Sequence, residues 1–223
     1  SQDRTAEGSD AFKWLRKAQS LARRHPALLA KVYFWKASYY YELGKIDSAL
    51  LMIQVGDQMA QRHQLLSERV KLLGTAAKIY SSNGQAQAAD SLGRLAFRFC
   101  QNRLDSAIAY TRWGSVQEDF GKLDLALSAF YAAYRLEKKA GNNIMAGHNL
   151  QQCAGILRDQ GRFEQAIKYL QEAVQLSKAI GNITGLAAAY HTLGGLYKRT
   201  NAHEQALQSY QLSLSLKTDI GRP

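Results

Sequence analysis

Apolar residues along this 223-residue chain recur at helical spacing, in segments that are separated by short polar turns. In the segment 161–181 they return every three or four positions, which is the period of an amphipathic helix. Variants of this segment occur forty residues earlier, from Gly121, and forty residues later, from Asn201. A fixed period of this length indicates stacked helical repeats, each of which buries its apolar face against its neighbours.

The pattern predicts an all-α chain of eleven helices with no strands. The predicted helices span residues 10–24, 27–43, 47–62, 65–82, 86–101, 105–120, 124–139, 144–160, 164–179, 184–199 and 204–219. Residues 1–9 are polar and are predicted to be a disordered or tag-like terminus. Residues 10–223 are predicted to form one array, which starts with a half repeat at 10–26. Five full repeats follow, at about 27–64, 65–104, 105–143, 144–183 and 184–221.

Each full repeat joins two helices through a turn that a left-handed residue would close. The predicted turn residues are Gly44, Gly84, Gly121, Gly161 and Asn201. An acid three residues later is expected to cap the second helix, and these acids are Asp47, Asp124, Glu164 and Glu204. Close crossing of the paired helices requires small residues in both. They are Ala37, Ala77, Gly114, Ala154 and Gly194 in the first helices, and Ala49, Ala89, Ala126, Ala166 and Ala206 in the second.

Large residues stand four positions before each small residue of the first helices, at Tyr33, Leu73, Tyr110, Leu150 and Tyr190. Together these positions resemble the tetratricopeptide repeat (TPR), in the long-helix variety found in kinesin light chains and bacterial signalling proteins. The resemblance implies a right-handed superhelix, an α-solenoid of antiparallel helix pairs, whose first helices line a concave groove. The family's groove positions correspond here to Lys31, Phe34, Ser38, Tyr41, Lys71, Lys78, Ser81, Thr111, Ser115, Glu118, His148, Gln151, Arg158, His191, Lys198 and Arg199.

The formal net charge is +11, and +8 of it lies in residues 1–103. In the predicted groove, cations flank the small polar residues Thr111, Ser115 and Gln151. This arrangement suits an extended peptide that carries acidic residues. The alternative is that these cations are solvated and bind nothing. No dense Lys/Arg run accompanies the excess charge, so a nucleic-acid partner is not expected.

Motifs for catalysis and metal binding are missing from the sequence. It contains no glycine-rich phosphate loop, no Gly-x-Ser-x-Gly, no Cys-x-x-Cys and no paired zinc histidines. The chain is therefore predicted not to be an enzyme and to need no cofactor or metal. Asn182-Ile-Thr184 is a glycosylation sequon, but we interpret Asn182 as a junction residue that repeats Asn142. The uncharged stretch 179–197 contains this junction, so no membrane span is predicted.

These observations predict a non-catalytic scaffold that binds a protein or peptide. The preferred setting is the sensory or regulatory region of a larger bacterial signalling protein, a histidine kinase or a transcriptional regulator. Alternatives are the TPR part of a response-regulator phosphatase-like antagonist, and a nucleic-acid-binding regulator that uses the basic N-terminal half. A sensor region would be periplasmic, and the other settings cytoplasmic. No later repeat covers the last helix, so its apolar residues Leu207, Tyr210, Leu212, Leu214 and Leu216 predict self-association.

Overall fold

The computed structural model describes residues 9–220 and is entirely helical over that range, with eleven α-helices and no strand. The predicted fold class is confirmed. The chain divides into two compact units, one ending at Phe120 and the other beginning at Gly121. The single array with its repeat boundaries stays a prediction. Most of the predicted N-terminal tail, residues 1–8, lies outside the described residues.

Unit 1 contains six helices, and each packs against the next one along the chain. Their bounds are α1 Asp10–Ala22, α2 Pro26–Glu42, α3 Ile46–Arg62, α4 Leu66–Ser82, α5 Ala86–Phe97 and α6 Arg103–Asp119. The first helices of the repeats, α2, α4 and α6, also pack side by side. A core of alanine, leucine and isoleucine side chains joins α2, α3 and α4.

Unit 2 contains five helices in the same alternating arrangement. Their bounds are α7 Leu123–Lys139, α8 Asn143–Asp159, α9 Phe163–Ala179, α10 Ile183–Arg199 and α11 His203–Ile220. The first helices α8 and α10 touch each other as well as their own partners α9 and α11. The largest core cluster of this unit lies among α8, α9 and α10.

The small residues at the predicted helix crossings are buried, as expected. The turn alanines Ala49, Ala89, Ala126 and Ala166 have no exposed surface, and Ala206 keeps only 5%. In the first helices Ala37, Ala77 and Ala154 are also fully buried. Because a close crossing leaves no room for a longer side chain, these positions set the helix spacing.

One predicted helix is too long. The second helix of the second repeat, α5, ends at Phe97 rather than at residue 101. It has 12 residues, whereas its counterparts α3, α7 and α9 each have 17. A five-residue linker, 98–102, then leads to α6, in place of the three-residue linkers elsewhere. The shorter helix and the longer linker together explain why Ala89 and Ala126 are 37 residues apart rather than 40.

The predicted left-handed turns are confirmed, whereas the predicted acid caps are wrong. Gly44, Gly84, Gly121, Gly161 and Asn201 all have φ between +58° and +74°. The acids do stand in the first turn of the second helices, where they face the positive end of the helix dipole. However, among the described residues no backbone N–H donates a hydrogen bond to Asp47, Asp124 or Glu164, and the N-cap residues of α3, α7 and α9 make no side-chain cap either. Asp124 instead accepts a hydrogen bond from Gln160 Nε2 at 3.0 Å.

Side-chain caps occur at the starts of three first helices, α6, α8 and α10. Asn102, Asn142 and Asn182 each accept a hydrogen bond from the backbone N–H three residues on. This supports the interpretation of Asn182 as a junction residue. At the start of α1 the cap is Ser9, whose Oγ accepts from Phe12 N at 3.2 Å. Asp10 follows it in the first turn of α1.

Candidate functional site

No group of three or more potential metal ligands occurs among the described residues. Cys153 is fully buried, and burial raises the pKa of its thiol to about 12, so it stays protonated. Burial also raises the pKa of Cys100. Within residues 9–220 no helix is long and apolar enough to cross a lipid bilayer.

In unit 1 the predicted groove residues lie on α2, α4 and α6, and side-chain contacts connect neighbouring first helices. Tyr41 Oη on α2 donates to Ser82 Oγ on α4 at 2.7 Å. Lys78 Nζ on α4 lies 2.6 Å from Asp119 Oδ1 on α6. Asp119 also accepts a hydrogen bond from Ser81 Oγ. These contacts hold neighbouring first helices side by side.

Of the three lysines predicted for the groove in unit 1, two form ion pairs within the fold. Lys71 Nζ pairs with Glu68 Oε1 at 2.9 Å, and Lys78 pairs with Asp119. Lys31, on the first turns of α2, is exposed. Two of the three lysines that were predicted to receive an acidic partner are therefore already neutralised within the fold.

The remaining predicted residues of unit 1 are partly buried. Two of their hydroxyls donate hydrogen bonds to backbone carbonyls of their own helix. Thr111 Oγ1 donates to Ala107 O at 3.0 Å, and Ser115 Oγ donates to Thr111 O at 3.3 Å. The ring of Phe34 meets that of Trp35 edge-on, with centroids 5.2 Å apart. The three other predicted residues that are partly buried are Ser38, Tyr41 and Glu118.

In unit 2 three predicted residues from two first helices meet in one open pocket of about 260 Å³. Arg158 comes from α8, whereas His191 and Arg199 come from α10. The other residues of the lining are Asp159, Thr192, Gly195 and Tyr210. Arg158 Nε lies 2.8 Å from Asp159 Oδ1, and this hydrogen bond raises the pKa of Arg158. We call this cavity the α8–α10 pocket.

Gly195 on α10 lines the α8–α10 pocket, and the preceding Gly194 lets Tyr210 of α11 pack beside it. A Cβ atom on Gly194 would lie 2.8 Å from the ring of Tyr210, so only glycine lets that ring reach α10. The Tyr210 ring then meets the ring of His191 edge-on at 5.6 Å. Tyr210 was predicted to belong to an apolar end face. It packs on α10 instead, because the glycines leave it room.

Three other predicted residues of unit 2 do not line this pocket. Gln151 Nε2 donates to the backbone carbonyl of Gly185 at 3.3 Å, which connects α8 to α10. His148 on α8 and Lys198 on α10 have exposed side chains. Sequence reasoning missed Asp159, Thr192 and Tyr210 as pocket residues. The adjacent glycines at 194 and 195 were the one signal for an opening at this point of α10.

The outward side of α11 carries leucines. Ala206, Ser209 and Ser213 form its buried face, and Ser213 Oγ donates to Ala187 O at 2.8 Å. Leu207 and Leu214 are 60% and 64% exposed. Leu212 is also exposed, whereas Leu216 is partly buried. Small residues therefore face α10, and the large apolar side chains face outward.

The short turns, the buried alanines and the side-by-side first helices define a class of protein, the α-helical repeat proteins. Within that class the chain belongs to the tetratricopeptide repeat family, because the family model matches residues 105–179 and 145–219, more than half of the chain. The family is generally non-catalytic scaffolding that binds proteins. None of the curated proteins compared with the chain matches its sequence significantly.

Several solved structures share the fold at low sequence identity. A putative kinesin light chain from Podosopora anserina aligns with a TM-score of 0.65 at 14% identity, covering 89% of this chain and 99% of that one. Aspartyl phosphate phosphatase F from Bacillus subtilis has a TM-score of 0.71 at 14% identity, covering 91% and 55%. A signal transduction ATPase with a TPR sensor, from Pyrococcus horikoshii, has a TM-score of 0.73 at 15% identity, covering 92% and 33%.

Proposed function

We propose that this chain is a non-catalytic scaffold that binds an acidic peptide segment of a partner protein along the groove faces of its first helices. The observation that carries the proposal is the α8–α10 pocket, which gathers Arg158, His191 and Arg199. Two guanidinium groups face a single carboxylate there, that of Asp159. A carboxylate from the partner would balance the second guanidinium.

The electrostatics of the α8–α10 pocket favour a partner with several acids. Arg158 is engaged by Asp159, whereas Arg199 is exposed and has no ion pair among the described residues. One exposed ion pair contributes only about 0.2–1 kcal/mol, so affinity has to come from several contacts. Salt screens exposed charges, and we therefore expect binding to weaken as ionic strength rises.

The experiment uses a partner that the wild-type chain captures from its source, identified and then purified on its own. Arg199→Glu should weaken binding of this partner, with the larger effect at low salt. The matched control is Lys139→Glu, which makes the same charge change at an exposed position of α7. Calorimetry at about 50 and about 300 mM NaCl measures both variants. Equal affinities for Arg199→Glu and the wild type at low salt would overturn the role of this pocket.

The preferred setting is the sensory or regulatory region of a larger bacterial signalling protein, such as a histidine kinase or a transcriptional regulator. The likeness to the TPR sensor of a signal transduction ATPase supports a sensory role, and this chain spans about a third of that protein. In this setting the partner is the signal, and its binding should alter the output of the intact protein. An output assay with and without the captured partner tests this.

A second candidate is favoured by the likeness to the aspartyl phosphate phosphatase. Here the chain would be the TPR part of a response-regulator antagonist, and its partner would be a receiver domain. Binding to purified receiver domains, measured with and without phosphorylation, separates the two candidates. The nucleic-acid alternative predicts a salt-dependent mobility shift on nonspecific DNA.

We also propose self-association through the outward leucines of α11, Leu207 and Leu214. Exposed apolar side chains on one helix face favour contact with a second apolar surface. Light scattering of the wild type should show an average mass that grows with concentration. The variant with Leu207→Glu and Leu214→Glu should stay at the monomer mass, and a wild type that also stays there would refute this contact.

A further inference from the structure

Arg112 on α6 is a charged residue without a charge partner. Its side chain is partly buried, and within residues 9–220 its guanidinium has neither a hydrogen bond nor an ion pair. Desolvating an unpaired cation costs free energy, and folded proteins rarely leave one in this state. Burial lowers the pKa of the Arg112 guanidinium, and it is the single cause of that shift.

A glycine on the neighbouring first helix makes room for this arginine. A Cβ atom on Gly74 would lie 2.8 Å from Cγ of Arg112 and 3.0 Å from its Cβ. The stem of Arg112 therefore lies directly on the backbone of α4, and any larger residue at position 74 would displace it. The next residue, Thr75, is buried, and its Oγ1 has no hydrogen-bond partner among the described residues. The Thr75 hydroxyl beside Gly74 is thus unsatisfied, and the Arg112 guanidinium has no protein partner among the described residues.

The acids of α4 and α6 are all engaged by other groups. Glu68 pairs with Lys71, and Asp119 pairs with Lys78. Asp105 is buried and accepts from Ser67 Oγ at 2.9 Å, from Gln101 N at 3.1 Å and from Asn102 Nδ2 at 3.0 Å. The fourth acid, Glu118, is engaged as well. Lys71 and Lys78 on α4 are thus neutralised within the fold, whereas Arg112 on α6 has no charge partner among the described residues.

From this contrast we infer that Arg112 is the anion-recognising residue of unit 1, and that it binds a carboxylate of the partner peptide. The guanidinium fork matches a carboxylate in a bidentate geometry, and partial burial strengthens that pairing relative to an exposed lysine. The inference rests on the proposed peptide-binding function and assigns it a residue that the sequence analysis did not single out. An arginine kept at a cost in stability is typical of a binding residue.

Arg112→Met tests the inference, because methionine keeps an apolar stem on Gly74 and removes the charge. If Arg112 only supported the fold, its loss would lower the melting temperature. We expect the opposite sign: without ligand, Arg112→Met should melt at the same temperature as the wild type or higher. The control is Arg103→Met, an exposed arginine at the start of the same helix. It should change neither melting nor binding.

Hexaglutamate serves as the carboxylate probe and hexaglutamine as its neutral match, with affinities measured by calorimetry. The wild type and Arg103→Met should bind hexaglutamate and not hexaglutamine. Arg112→Met should bind it on the order of 30-fold more weakly, or not at all. Wild-type affinity in Arg112→Met, no binding of hexaglutamate to the wild type, or a melting temperature lowered by several degrees would each overturn the inference. A captured partner that binds Arg112→Met and the wild type equally would leave the proposed function standing without this residue.

Discussion

The two units build the junctions between their repeats differently. In unit 2 the linkers are Ala140-Gly141-Asn142 and Ile180-Gly181-Asn182. The glycine supplies the left-handed conformation, and the asparagine caps the next helix. In unit 1 the corresponding linker is His63-Gln64-Leu65, where Gln64 has φ +54° and Leu65 makes no cap. Unit 2 therefore closes its junctions with local sequence, whereas the 63–65 junction of unit 1 needs other contacts.

Polar side chains from neighbouring helices supply these contacts in unit 1. Arg69 on α4 makes a bidentate hydrogen bond to Asp57 on α3, with distances of 2.8 and 3.2 Å. Its guanidinium also lies 4.0 Å from the ring centre of Phe99, in the long linker. A repeat whose turn lacks both glycine and a capping asparagine can therefore keep its packing through one charged side chain. Here Arg69 connects α4 to α3 and to the linker 98–102.

The largest expected effect comes from Arg69→Met. It leaves the mostly buried carboxylate of Asp57 without its partner and removes the contact with Phe99, so unfolding should become easier by about 2–4 kcal/mol. Urea unfolding followed by circular dichroism measures this. Arg98→Met, at an exposed position of the same unit, is the control and should change stability little. Equal midpoints for the two variants would show that unit 1 does not depend on this polar bridge.

A second prediction compares the asparagine caps of the two units. Asn182→Ala in unit 2 removes one cap and should cost about 1 kcal/mol. Asn102→Ala in unit 1 removes a cap and also the Nδ2 donor to the buried Asp105, so it should cost about 2 kcal/mol. Both are measured as shifts of the urea midpoint. Equal costs would mean that the polar cluster at the long linker adds nothing beyond capping.

In unit 2 the buried carboxyl of Glu137 lowers stability. It is 1% exposed, and its Oε2 has no hydrogen-bond partner among the described residues. Burial raises the pKa of Glu137, although a hydrogen bond with Asn142 acts in the opposite direction. The folded state therefore holds the Glu137 proton more tightly than the unfolded state, and stability is lost as the pH rises from the ordinary glutamate pKa through the raised one.

Glu137→Gln should consequently stabilise the chain by about 1 kcal/mol near pH 7. The difference from the wild type should shrink as the pH falls to about 4, where the wild-type carboxyl is protonated. Thermal melts across this range provide the measurement. A difference that stays constant with pH would contradict the assigned titration.

The smallest expected effect concerns Gln64. Gln64→Gly should stabilise unit 1 by about 0.5–1 kcal/mol, because glycine adopts a positive φ without steric cost. Gly141→Gln in unit 2 is the reciprocal variant and should destabilise by a similar amount. Thermal melts of both, compared with the wild type, test whether this position accounts for the difference between the junctions. A melting temperature lowered by Gln64→Gly would argue that the glutamine side chain has a stabilising contact.

Most of the fold could be predicted from the sequence, because the repeats show which positions hold small residues and which hold turn residues. Each of the small residues at the crossings and the left-handed turn residues occurs five times, so one irregular copy does not hide the rule. The end of α5 was missed for the same reason. A period of forty was carried over from the regular copies, and only the spacing of 37 between Ala89 and Ala126 signalled the change.

The candidate site was less predictable, because charge pairing depends on distances between residues far apart in the chain. Lys78 and Asp119 are 41 positions apart, and nothing in either segment indicates that they pair. Arg158, His191 and Arg199 were identified from repeat positions, and they do come together. Arg112 was missed, because its unpaired state depends on how Ser67, Lys71 and Lys78 use the surrounding acids.

The two cysteines differ in exposure, so their rates of chemical labelling can report local opening of the fold. Cys100 lies partly exposed in the linker 98–102, whereas Cys153 is enclosed between α7 and α8, with its Sγ 3.8 Å from Leu127 O. A thiol-reactive dye should modify Cys100 in the native state and reach Cys153 only when these helices separate. The ratio of the two labelling rates then measures how often unit 2 opens, with no engineered probe.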